Sequence, residues 1–141
     1  MPDKSYQPVA RILMAAAVLA AMFCVFHATK AYAGERDRRG EITAHPAGCP
    51  HFLFCGCGVS VRVFGRPVRS LYLATAWRKF PRAAPHIGTV AIFGASHVAY
   101  VELIDGRSVL LYDPNSGGGK TRLHWVDARR ISFFVEPPDK H

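Results

Sequence analysis

No run of apolar residues in this sequence is long enough to cross a membrane. The longest, Ile12 to Phe26, has 15 residues, against the ~20 that a spanning helix needs. Also missing are an RNA- or DNA-binding motif, an internal repeat and any low-complexity tract. A phosphate-binding loop is excluded too. "SGGGKT" matches one only in part, because the pattern needs a glycine five residues before Gly119 and Pro114 stands there. No cofactor is expected. Acidic residues are scarce, 10 against 18 basic, for a net charge of +8. Such a balance favours anionic surfaces such as cell-wall carboxylates or lipid phosphates. Without a binding motif, nucleic acid is not among the expected partners. The basic residues are scattered, with "RDRR" and "RKFPR" far apart, as ordinary solvated charge would be.

What is present begins with a leader. "MPDKSYQPVAR" is weakly basic, the apolar run follows, and "HATKAYA" ends in the small-x-small pattern Ala31-Tyr32-Ala33. These are the three parts of a secretory signal peptide. Residues 1–33 are read as that, with an uncleaved anchor as the alternative that His27 and Lys30 raise. The chain is expected to be exported, to the periplasm or beyond the cell. Cleavage leaves 108 residues, enough for one small domain, and losing Lys4, Arg11, Lys30 and Asp3 lowers the net charge to +6. No stable membrane span is expected after it.

Three cysteines remain, Cys49, Cys55 and Cys57. Outside the cytoplasm paired thiols oxidise, and an odd number leaves one for an intermolecular bond or as a reactive thiol. Residues 34–50 are polar and broken by Gly and Pro, an irregular arm. From Cys55, Val59 and Val63 recur at four-residue spacing on one helical face, and Gly65-Arg66-Pro67 ends the segment. A second short helix is expected over Ser70 to Phe80. After Gly88 the period changes. Thr89–Phe93, His97–Ile104, Ser108–Asp113 and Arg130–Glu136 are rich in β-branched and aromatic residues, with a hairpin turn at Asp105-Gly106. The expected fold is α+β, with N-terminal short helices packed on a small antiparallel sheet of about four strands.

Within that frame one constellation can carry chemistry. Cys55 at a helix start meets the positive end of the helix dipole and unpaired N–H groups, which favour a thiolate and can face an oxyanion. Gly56 and Gly58 leave room for a substrate backbone. A nucleophilic cysteine needs a base and a group to orient it. His97 opens one hairpin strand and "YDPN" closes the next, so Asp113 and Asn115 fall beside it. Each also has a plain reading: the histidine as a bonded surface or core residue, "DPNSGGG" as a turn. His86, His124 and His141 show no companions and are read as surface or loop residues.

"CGCGVSVRVFG", then "IGTVAIF…SHVAYVE", then "YDPNSGG" resembles the CHAP group of the NlpC/P60-type, papain-like cysteine peptidases and amidases. The resemblance spans about Cys55 to Pro137. It implies a papain-like hydrolase domain over residues 51–137, followed by a tail at 138–141. It implies Cys55 as nucleophile, His97 as base, and Asp113 and Asn115 as polar partners, acting on cell-wall peptide. The sequence departs from the group's pattern in two places. Gly56-Cys57-Gly58 stands where aromatic residues usually follow the cysteine, and Asp113-Pro114 stands where a Glu is usual.

Two other classes remain in view. One is a non-catalytic domain of the same fold that binds anionic envelope material. The other is a metal protein built on His45, Cys49, His51, Cys55 and Cys57, ligand types suited to zinc or copper but at none of the common zinc-finger spacings. The preferred reading has no metal, and the chain is expected to be a monomer. Residues two apart on a helix point about 200° apart, so Cys55 and Cys57 cannot both face a cleft. Cys55 shares the face of Val59 and Val63, leaving Cys57 toward the arm and within reach of Cys49. If Ala31-Tyr32-Ala33 is cleaved, the secreted protein begins at Gly34. Intact mass of the exported form checks this, and a chain still starting at Met1 in the membrane fraction refutes it.

Overall fold

The computed structural model describes residues 40–138. The expected signal peptide and the end of the expected tail lie outside the described residues. Seven strands are formed: β1 (Glu41–Thr43), β2 (Arg82–Ala83), β3 (Val90–Phe93), β4 (His97–Asp105), β5 (Ser108–Ser116), β6 (Lys120–Asp127) and β7 (Phe133–Val135). Two α-helices accompany them, α1 (Cys55–Phe64) and α2 (Ala74–Trp77), with single 3-10 turns at Arg69–Leu71 and Ala128–Arg130. The strands make one antiparallel sheet in the order β1-β6-β5-β4-β3-β7-β2.

This overturns the expected α+β, papain-like layout of N-terminal short helices on about four strands. The described residues are mostly antiparallel sheet, and among them α1 is the one helix longer than about a turn. The additional strands have physical reasons for being missed. β1 and β2 have 3 and 2 residues, too few to show a period. β6 carries Arg122, His124 and Val126 on one face and Thr121, Leu123 and Trp125 on the other, so neither face reads as apolar. The segment taken as an irregular arm thus supplies β1, which pairs with β6. Ser70 to Phe80 is also not one helix. Leu73 is extended between the 3-10 turn and α2, and the buried Trp77 indole N–H donates back to the Leu71 carbonyl at 2.8 Å.

The sheet buries both faces. On one, Val59 and Val63 of α1 pack with Val90, Ile92, Val98 and Val135, and Trp77 joins them. On the other, Ala91, Ala99, Val101, Val109, Leu111, Val126 and Phe134 form a second cluster with Ile131. Among the described residues no α-helix contributes to that second cluster, and Ala128 of the 3-10 turn packs against it.

A bulge fixes which residues share a face. Asp105 pairs with Ser108 and Ile104 with Val109, but Val101 pairs with Leu111 and Tyr100 with Tyr112, so one extra residue enters β4 between Val101 and Leu103. Glu102 occupies the shift. Its carboxylate receives both Nε and an Nη of Arg62 from α1, at 2.5 and 2.7 Å. The Arg62 guanidinium also sits 5.8 Å and 5.7 Å from the Tyr100 and Tyr112 ring centres. A bidentate pair is stronger than a single contact, although half-exposed pairs contribute only about 1 kcal/mol or less. Its value here is registration.

The first turn of α1 lies closer to its neighbours than any side chain allows. A Cβ on Gly56 would stand 2.4 Å from the Leu71 carbonyl oxygen, and one on Gly58 would stand 2.4 Å from Cβ of Pro114. Gly56 and Gly58 therefore admit the chain's own segments, not a substrate backbone. Alanine is the better helix former by about 1 kcal/mol, yet overpacking costs about 1–3 kcal/mol. Gly58→Ala is therefore expected to destabilise the protein in urea melts. A variant as stable as the parent or more so would show that the helix is not seated on Pro114.

Candidate active site

The site forms where the start of α1 meets the start of β4 and the end of β5. Cys55 has a buried side chain and is the free thiol among the described cysteines, because Cys49 and Cys57 are joined in a disulfide. That is the pairing expected from the helix geometry. It also takes two of the five candidate metal ligands. Among the described residues no group of three or more His, Cys, Asp or Glu side chains is placed to hold a metal ion. His45 Nε2 instead donates to the Cys49 carbonyl, 3.1 Å away, and the ring stacks on His51.

The Cys55 thiol donates to the Ser96 carbonyl at 3.8 Å, which places sulfur beside the residue before His97. His97 is also close enough to Cys55 for the sulfur to help raise the pKa of its ring. No side chain caps α1, and its first turn carries no acid, so its leading N–H groups stay free of competing carboxylates.

His97 is a quarter exposed, and its Nε2 lies 2.5 Å from Oδ1 of the buried Asp113. The other carboxylate oxygen, Oδ2, is 2.7 Å from Nε2 of His124. A carboxylate only accepts, so Nε2 carries the proton in both rings. Nδ1 of His97 is then the nitrogen available to the thiol. The order of groups is Cys55, His97, Asp113, His124.

Burial of the His97 ring would lower its pKa, but the hydrogen bonds to Asp113 and Cys55 outweigh that and raise it to about 9. Burial would raise the pKa of Asp113, but hydrogen bonds from His124 and His97 hold it at about 2. The His97 contribution to stability is complete below its ordinary value of 6.5 and is lost as pH rises to about 9. That of Asp113 is complete above its ordinary 3.8 and is lost as pH falls to about 2.

Of the four residues singled out from sequence, the structure brings Cys55, His97 and Asp113 together. Asn115 is placed differently. It has φ +60° in the register shift between Asp113 and Ser116, and it lines a cavity of about 340 Å³ beside His97 and Asp113. Among the described residues it makes no hydrogen bond to His97, so orientation of the ring falls to Asp113. Cys55 is not among the cavity's lining residues; His97 stands between the two.

Sequence reasoning missed His124, which it read as a surface or loop residue. The signal lay in β6. Once that strand pairs with β5, Leu111 lies opposite His124 and Asp113 opposite Arg122, so alternation puts His124 on Asp113's face.

Compared with known proteins, the chain matches no family model, no curated protein and no solved structure.

Asp113→Asn removes the charge that holds the imidazolium. The His97 resonance, followed by NMR through a pH titration, should have its midpoint near 9 in the parent and move down by more than one unit in the variant. A His97 midpoint that stays near 9 without Asp113 would exclude this pairing.

Proposed function

We propose that this protein is an exported cysteine-dependent amide hydrolase, with cell-wall peptide as its substrate class. The observation that carries the reading is the buried Asp113 holding His97, with the free Cys55 thiol bonded to the carbonyl of the residue just before it, Ser96. The substrate class and the exported location rest on the three-motif resemblance and on the leader sequence.

In the thiol form, Cys55 donates to Ser96. The raised pKa of His97, about 9, makes its imidazole a base able to take a proton from Sγ. The proton moves from Sγ to Nδ1 of His97, leaving a thiolate and an imidazolium held by Asp113. Sγ attacks the amide carbonyl, and the uncapped start of α1 offers N–H groups to the oxyanion. His97 then gives its proton to the leaving amine as the C–N bond breaks, and a thioester remains. Water attacks the thioester, His97 takes a proton from it, and the acid departs as the thiol is restored.

One observation favours a second reading, a non-catalytic domain that binds envelope material: Cys55 is only 4% exposed. Iodoacetamide labelling separates the two. The hydrolase reading expects Cys55 to be alkylated, and Cys55→Ser to lower amide release from cell-wall peptide on the order of 10³-fold or more. His97→Gln should slow alkylation at neutral pH. A folded protein whose Cys55 resists alkylation, and whose activity survives Cys55→Ser, is not this enzyme.

A further inference from the structure

The cavity beside His97 has a charge that its own residues leave unbalanced. Its lining includes His97, Asp113, Asn115, Ser116, His124 and Arg130. Asp113 is the only acid among the lining residues, and both of its oxygens are engaged by histidines. Arg130 stands on the 3-10 turn after β6. Its neighbour Arg129 is held by Asp127 at 2.6 Å, and Arg62 by Glu102. Among the described residues Arg130 itself has no ion-pair or hydrogen-bond partner, and it is exposed on the cavity wall.

A guanidinium presents two parallel N–H groups that match a carboxylate. Asn115 and Ser116 add neutral donors nearby. The cavity's volume of about 340 Å³ lies at the small end of ligand clefts, roughly 300–1,000 Å³. That suits one amino-acid-sized group better than a length of polymer. His97 forms part of its wall and also touches Cys55, so a group seated there lies one imidazole away from the nucleophile.

We propose that this cavity recognises a carboxylate on the substrate next to the amide that is cleaved, with Arg130 as the carboxylate's partner. The role in cleavage rests on the hydrolase reading above; the binding of a carboxylate does not. The selectivity this gives is for acidic over amidated peptides. Arg130 acts here as a specificity residue and takes no part in the bond-breaking steps.

Two alkylating reagents test this, because they differ only in the carboxylate. With either iodoacetate or iodoacetamide, Cys55 Sγ forms a bond to the methylene carbon, iodide leaves, and the thiol proton goes to His97. Iodoacetate is expected to label Cys55 faster, and Arg130→Gln should reduce that preference about tenfold, as loss of one charge-assisted hydrogen-bonded pair would. The iodoacetamide rate should stay within about twofold, and Arg130→Lys should restore part of the preference. The protonated His97 favours iodoacetate on its own account, so only the share that depends on Arg130 counts. A preference unchanged in Arg130→Gln overturns the proposal. If Cys55 reacts with neither reagent, the hydrolase reading fails, and titration with glutarate decides the cavity separately. The His124 resonances should then shift in the parent with glutarate but not with glutaramide, and the shift should be lost in Arg130→Gln. No glutarate-dependent shift overturns carboxylate binding.

Discussion

The site depends on one extra residue in β4. Side chains alternate along a strand, so each position's face is set by the count of residues from a fixed point. From the Asp105–Ser108 end of the hairpin, strict alternation would turn His97 toward α1 and away from the face of Asp113. The shift at Glu102 changes that count by one, and His97 comes onto Asp113's face. A bulge re-aims side chains in this way at the cost of local ladder pairing. Arg62 grips the bulged Glu102, and Arg62 belongs to the helix that begins with Cys55. The element that supplies the thiol therefore also fixes the register that brings His97 onto Asp113's face.

A second constraint sets the distance across the site. Pro114 follows Asp113 directly and rests on Gly58, three residues after Cys55. Gly58 and Pro114 fit one another in space. A ring at 114 needs an absent side chain at 58. The electrostatics follow from the same enclosure. A carboxylate buried between two imidazoles stays ionised because both donate to it, and the ring facing the thiol stays protonated well above its ordinary range.

The sequence showed these parts unevenly. The Cys55 helix, its Val59–Val63 face and the His97–Asp113 hairpin were legible because each has a strong local sign: a period, a glycine stop or a two-residue turn. The number of strands was not legible. β1 and β2 are short partners at the ends of the sheet, formed only because a longer strand is there to receive them. β6 is polar on the very positions that the site uses, since Arg122 and His124 take core-facing registers at its cavity end. Asn115 was drawn to His97 by counting along the hairpin, but the register shift after Asp113 carries it to the cavity wall. Such shifts come from tertiary packing, here of Pro114 against the helix, and leave no periodic trace.

The Cys49–Cys57 bridge has a consequence for how the protein is made. Three cysteines at 49, 55 and 57 allow three single bridges, and the other two both consume Cys55. A chain that oxidises before α1 has formed can fall into any of them, and a wrong bridge consumes the thiol that is free in the folded protein. On the hydrolase reading, specific activity would then record the fidelity of oxidation as well as the speed of chemistry. Two batches of identical sequence could differ severalfold in turnover per mole, and brief treatment with a mild thiol buffer would bring them level.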